Sequence, residues 1–69
     1  QLPDTSELSN SELKAILDSL PYELKEVILL RYVAGYTLKE TAQLLGVTFG
    51  TVRYRQDKAI IAIEELIKG

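Results

Sequence analysis

The positive charge of the chain is concentrated in the segment from residue 48 to residue 58. Arg53, Arg55 and Lys58 place three positive charges there against the single carboxylate of Asp57. An arginine can donate hydrogen bonds to guanine edges or to phosphate, and a carboxylate can accept one from cytosine N4. This group of residues is therefore a candidate for non-covalent recognition of nucleic acid.

The charge balance of the whole chain favours a plainer interpretation of the same cations. The formal net charge is −2 and the pI is near 5.0, whereas DNA-binding domains usually carry a basic footprint. Residues 1–36 hold three basic and six acidic residues, and residues 37–69 hold five basic and four acidic ones. Taken in isolation, the cations of residues 48–58 are better explained as a solvated helix face that pairs with neighbouring Glu or Asp side chains.

The composition argues against an enzyme. The 69-residue chain contains no Cys and no His, so it lacks a thiol nucleophile, the commonest metal ligands and the commonest general base near pH 7. We expect no catalytic residue, no cofactor and no metal. No apolar run approaches the length of a membrane span, so we expect a cytoplasmic protein. Because the chain begins with Gln1 and contains no Met, we also expect it to be part of a longer protein.

Capping residues, prolines and glycines predict four helices, the last of which carries residues 48–58. Residues 1–9 are predicted to be a flexible lead-in, and residues 10–69 a single domain. A capping box at Ser9–Glu12 predicts a helix over about 10–19, and Pro21 begins a second over 21–34 that Gly35 closes. A second capping box at Thr37–Glu40 predicts a helix over 37–45. Gly46 then needs a positive φ, and Thr48 caps a last helix over 48–67.

The spacing of small residues across the last two helices is typical of a helix-turn-helix. Ala42 lets the helices approach, Gly46 makes the turn, and Val52 anchors the second helix on the first. The predicted fold class is therefore all-α, a compact four-helix domain containing a helix-turn-helix with a long C-terminal recognition helix. On that helix the core face is predicted to be Val52, Ala59, Ile63 and Leu66. The opposite face is predicted to be Gly50, Arg53, Tyr54 and Asp57.

Several sequence blocks around this motif resemble region 4 of bacterial RNA polymerase sigma factors of the sigma-70 family, above all the extracytoplasmic-function type. The blocks are the Leu-Pro start at Leu20, Leu-Leu-Arg-Tyr at 29–32, Leu-Gly-Val at 45–47 and Gly-Thr-Val-Arg at 50–53. The resemblance covers roughly residues 20–67. It implies docking in the major groove of a promoter −35 element while attached to RNA polymerase, and an anti-sigma factor or other regulator as a further possible partner.

The predicted DNA contacts combine this motif with the helix geometry. Arg53, Tyr54 and Asp57 are candidates for the groove, with Gly50 allowing close approach of the backbone. Tyr54 could instead stack on Arg55 or Lys58. The complete set of predicted DNA-binding residues is Thr37, Lys39, Gly50, Thr51, Arg53, Tyr54, Arg55, Asp57 and Lys58. We also expect Tyr22, Tyr32, Tyr36 and Phe49 to lie in or at the edge of the core.

The sequence departs from the sigma-like pattern at two places. Gln56 stands where the family usually has an apolar residue, and residues 60–62 are apolar where the family tends to be basic. Ile61 should be exposed, which suggests a protein contact there. Two alternatives therefore stay open. The chain could be a region 4-like protein-interaction module with weak DNA binding of its own, or a LuxR-type regulator, although the sigma-like blocks weigh against the latter.

Overall fold

The computed structural model describes residues 10–68, with side chains from residue 11. Helix α1 spans Asn10–Asp18, α2 Tyr22–Ile28, α3 Leu38–Leu45 and α4 Phe49–Lys68. A π-helical segment, Leu29–Val33, continues directly from α2. Within residues 10–68 there is no strand, so the predicted all-α fold is confirmed.

The second helix is not the uniform α-helix that was predicted over residues 21–34. After Ile28 the backbone widens, and the N–H of Ala34 donates to the carbonyl of Leu29 at 2.9 Å. This i→i+5 bond inserts an extra residue into the turn and shifts the side chains that follow. Within this segment Tyr32 packs against the core, as predicted, while Val33 is 72% exposed.

The capping signals of the helix-turn-helix are confirmed. The Thr37 hydroxyl accepts from the Glu40 N–H at 3.1 Å, and the Glu40 carboxylate accepts from the Thr37 N–H at 2.9 Å. Gly46 has φ +69° at the end of α3, and the Thr48 hydroxyl accepts from the Thr51 N–H at 3.1 Å. The predicted capping box at Ser9 and the lead-in at residues 1–9 lie outside the described residues.

Two hydrophobic clusters hold the helices together, and α4 takes part in both. The first joins buried residues of α2 and α4 with the end of the α1–α2 connection: Leu20, Ile28, Ala59 and Ile63. The second joins α2 to both helices of the helix-turn-helix: Val27, Ala42 and Val52. Because each removes apolar surface from water, these clusters fix α4 against α2 and α3.

Three core assignments were wrong, and a fourth predicted core residue, Tyr36, is 39% exposed. Leu66 is 47% exposed, and Ile67 packs against the core in its place. The core-facing side of α4 is formed by Val52, Gln56, Ala59, Ile63 and Ile67. After Ile63 the residue that faces the core is the fourth, Ile67, and not the third, Leu66. Tyr22 is 75% exposed because it begins α2 on the side away from the clusters, and Phe49 is 51% exposed because it begins α4 at the turn.

Polar contacts connect the helices as well. Arg31 Nε donates to Gln56 Oε1 at 2.8 Å, and Arg31 Nη1 donates to the Tyr36 carbonyl at 2.7 Å. Gln56 is buried, and the bond from Arg31 Nε satisfies its carbonyl oxygen. Together the two bonds tie the π-helical segment to α4 and to the loop before α3.

A second polar contact joins α1 to α2 at the surface. Asp18 accepts hydrogen bonds from Lys25 at 2.6 Å and from Lys14 at 3.1 Å. These two bonds, with that from Lys25 the larger effect, lower the pKa of the Asp18 carboxyl. Both partners favour the charged form of the carboxylate.

Candidate nucleic-acid interface

The turn between α3 and α4 sets the direction of the recognition helix. The N–H of Val47 donates to the Ala42 carbonyl at 3.1 Å, and Gly46 supplies the left-handed conformation that reverses the chain. Ala42 and Val52 are both buried in the cluster beneath this turn. The small side chain of Ala42 thus lies where the two helices approach one another, as the sequence predicted.

The side of α4 opposite the core forms a continuous exposed face. Gly50, Tyr54, Asp57 and Ile61 follow one another at intervals of four, three and four residues, which places them along one line of the helix. Tyr54 is 63% exposed and Ile61 is 54% exposed. Arg53 adjoins this line and is also exposed. The predicted exposure of the groove candidates is therefore confirmed, whereas their contact with DNA stays a prediction.

Each cation in residues 48–58 has a partner within the chain. Arg53 Nε lies 3.6 Å from Asp57 Oδ2, and Arg55 Nη2 lies 3.3 Å from Glu23 Oε2. Lys58 Nζ lies 5.8 Å from the centre of the Tyr54 ring. The pairing expected of a plain solvated face is thus present in the free chain. Since exposed ion pairs contribute only about 0–1 kcal/mol, these contacts can be exchanged for contacts with a ligand.

The remaining predicted residues lie at two helix starts. Thr37 is the N-cap of α3 and Lys39 is exposed in its first turn. Thr51 lies in the first turn of α4, where its hydroxyl is 2.8 Å from that of Thr48. The Thr51 N–H donates to the Thr48 hydroxyl and so is not free to bind a phosphate oxygen. The other predicted contacts all lie on α4.

Two further features of this region were not predicted from the sequence. One is Glu23, which reaches Arg55 from another helix, and the other is the Arg31–Gln56 hydrogen bond behind the exposed face. An open cavity of about 450 Å³ lies between α2 and α4 beside the ion pair. It is lined by Pro21, Glu23, Leu24, Thr51, Tyr54 and Arg55.

The family model for sigma-70, region 4 matches residues 16–64 of the chain, from the last three residues of α1 to most of α4. The chain belongs to the sigma-70 region 4 family. The resemblance seen in the sequence is thereby confirmed. No group of metal-binding side chains occurs among the residues that the structure describes, and none of the helices described is long and apolar enough to cross a membrane.

Curated relatives of this region 4 domain include three sigma factors. The ECF RNA polymerase sigma factor ShbA of Streptomyces griseus is 38% identical over 53 residues, covering 77% of this chain and 28% of ShbA. The ECF RNA polymerase sigma factor SigD of Mycobacterium bovis is 34% identical, covering 86% of this chain and 28% of SigD. The ECF RNA polymerase sigma factor EcfG of Rhodopseudomonas palustris is 29% identical, covering 91% of this chain and 35% of EcfG. The chain thus spans about a third or less of the length of these relatives.

Proposed function

We propose that this region 4 domain recognises the promoter −35 element as part of a sigma factor or sigma-like initiation protein that acts with RNA polymerase. The observation that carries the proposal is the exposed face of α4, which presents Arg53, Tyr54 and Asp57 directly after the helix-turn-helix turn. The family match and the names of the relatives, all RNA polymerase sigma factors, support the same function. Such recognition is non-covalent and needs no catalytic residue or cofactor.

In this proposal the residues divide between base edges and phosphates. Arg53 donates to a guanine, and Asp57 accepts from a cytosine N4 once Arg53 has left it. Tyr54 contacts a thymine methyl or a phosphate. The two helix starts and the flanks of α4 hold the DNA backbone, which fixes orientation without reading sequence. The residues proposed for those backbone contacts are Thr37, Lys39, Thr51, Arg55 and Lys58.

The charge distribution indicates that the domain binds DNA weakly unless it is tethered. The net charge of the chain is −2, and the cations of α4 are partly neutralised by Asp57 and Glu23. Fewer net phosphate contacts lower the affinity and flatten its salt dependence. Attachment to RNA polymerase would raise the effective concentration of the domain at the promoter, which compensates for weak intrinsic binding.

A binding experiment with matched arginine and lysine variants tests the proposal. The preferred duplex is first selected from a randomised pool, and the affinity of each variant is then measured by fluorescence anisotropy. Arg53→Ala should weaken binding to the preferred duplex by about 1–3 kcal/mol and relax its sequence preference. Lys14→Ala removes the same charge from α1 and should have little effect. An Arg53→Ala variant that binds preferred and random duplexes as the parent does would contradict the groove assignment.

A second candidate function is a protein-interaction module that binds polymerase, an anti-sigma factor or another regulator. The observation that favours it is Ile61, a β-branched apolar side chain that is 54% exposed on the same line of α4 as Tyr54. Ile61→Lys should leave the helix content unchanged and abolish association with the RNA polymerase core or the regulator. Leu66→Lys, at another exposed apolar position of α4, is the matched control. Unchanged co-purification of the Ile61→Lys variant would rule out this interface.

A further inference from the structure

One ion pair joins α2 to the recognition helix across the open cavity. The Arg55 side chain is 22% exposed, the Glu23 side chain is 68% exposed, and their charged atoms are 3.3 Å apart. We propose that Glu23 occupies on Arg55 the position that a DNA phosphate takes in the complex, so that binding exchanges a carboxylate for a phosphodiester. This inference rests on the proposed function, because duplex DNA is the ligand in both.

The unequal exposure of Arg55 and Glu23 indicates which side chain moves away when the ion pair opens. Arg55 is largely covered and forms part of the cavity wall, so its guanidinium is held near one position. Glu23 lies in the first turn of α2 with most of its side chain in solvent, and it can rotate away with little loss of packing. The guanidinium is therefore the fixed part of the site, and the carboxylate is its exchangeable occupant.

The surroundings of Arg55 suit a phosphodiester. Two hydroxyl-bearing residues of α4, Thr51 and Tyr54, line the cavity with it, and the α2 side contributes the hydrocarbon of Pro21 and Leu24. A guanidinium binds carboxylate and phosphate oxygens with the same fork of donors. A phosphate also belongs to a polyanion whose condensed counterions are released on binding, which a lone carboxylate cannot offer. The phosphate is thus the stronger of the two competing anions.

Glu23 differs from the other partners of the α4 cations because it belongs to another helix. Asp57 and Tyr54 lie on α4 itself, so the contacts of Arg53 and Lys58 are made within the recognition helix. Glu23 lies outside the helix-turn-helix, in α2. It therefore limits the positive charge that the recognition helix offers to DNA, from outside that helix.

A double-mutant cycle on the full 69-residue chain tests the exchange. The variants are Glu23→Gln, Arg55→Gln and the double variant, with Glu65→Gln as the control for the change in net charge. Glu65 is exposed on α4 and forms no ion pair among the residues that the structure describes. The probe is a mixed-sequence duplex of about two helical turns, since phosphate contacts carry no sequence information. Circular dichroism verifies that each variant is folded.

At low salt, Glu23→Gln should tighten binding by about two- to fivefold more than Glu65→Gln, the range set by an exposed ion pair. Arg55→Gln should weaken binding and reduce the slope of log K against log salt by about 0.9. In the Arg55→Gln background, Glu23→Gln should bring no more gain than Glu65→Gln. Equal gains from Glu23→Gln and Glu65→Gln, or a Glu23→Gln gain that persists without Arg55, would overturn the inference.

Failure of the inference can be told apart from failure of the proposed function. The cycle uses mixed-sequence DNA, so it can succeed even where no sequence preference exists. Loss of sequence preference on selected duplexes would reject promoter recognition and leave the phosphate exchange standing. A parent chain that binds no duplex even at low salt would reject both.

Discussion

Gly50 offers a perturbation in which stability and DNA affinity should move in opposite directions. It is the second residue of α4, is exposed and has an ordinary helical φ, and a Cβ built there meets no atom within 4 Å. Gly50→Ala therefore adds a methyl group without a clash and reduces the freedom of the unfolded chain. We expect a gain of about 0.5–1 kcal/mol in the free energy of unfolding. For a domain of this size, that gain raises the Tm by about 2–8 °C.

The same methyl group should weaken DNA binding if the exposed face of α4 enters the groove. Gly50 lies in line with Tyr54 and Asp57, so the added methyl projects toward the proposed DNA surface. Forcing a methyl into a packed contact costs about 1–3 kcal/mol, and the affinity for the preferred duplex should fall by that amount.

Thermal unfolding by circular dichroism and fluorescence anisotropy measure the two effects on the same samples. Gly46→Ala is the control for a glycine that the backbone requires: with φ +69° it should lower the Tm. A lower Tm for Gly50→Ala would refute the structural reasoning. A higher Tm with unchanged DNA affinity would refute close approach of DNA at this residue.

Three further changes test the packing that supports the site. Thr41 is fully buried, and its hydroxyl has no hydrogen-bond partner among the described residues. Thr41→Val should therefore raise the free energy of unfolding, measured by chemical denaturation, by about 1–3 kcal/mol. A lower free energy of unfolding would contradict this. Gln56→Ala leaves Arg31 Nε without its acceptor and should cost about 1.5–3 kcal/mol. Gln56→Glu keeps an acceptor and should cost less, and equal losses would show that the hydrogen bond is not the cause. Because the pKa of Asp18 is lowered in the folded state, its contribution to stability is present above the ordinary pKa of a carboxyl and is lost as the pH falls through the lowered pKa. In an NMR titration Lys25→Met should raise that pKa, and an unchanged value would contradict the assigned cause.

Local rules were sufficient for most of the fold. The capping box at Thr37, the positive φ at Gly46 and the cap at Thr48 each depend on residues within one turn of one another, so the sequence displays the whole interaction. The exposed face of α4 follows equally directly from the helical repeat, which separates Tyr54 and Asp57 from Val52.

The features that escaped prediction depend on contacts between distant parts of the chain. The Arg31–Gln56 hydrogen bond joins residues 25 apart, and Glu23 meets Arg55 only because α2 packs on α4. The π-helical turn after Ile28 likewise has no local sequence signal. Tyr22 was expected near the core from its residue type, but a domain this small leaves many aromatic side chains at its surface.

The most direct test of promoter recognition removes one hydrogen-bond acceptor from the DNA. In the selected duplex, each guanine is replaced in turn by 7-deazaguanine, which lacks the N7 acceptor that guanine presents in the major groove. At one guanine, the replacement should cost the parent chain about 1–3 kcal/mol of binding free energy. The same replacement should leave the affinity of the Arg53→Ala variant unchanged. Equal losses for the parent and for Arg53→Ala at every guanine would contradict readout of the major groove by Arg53.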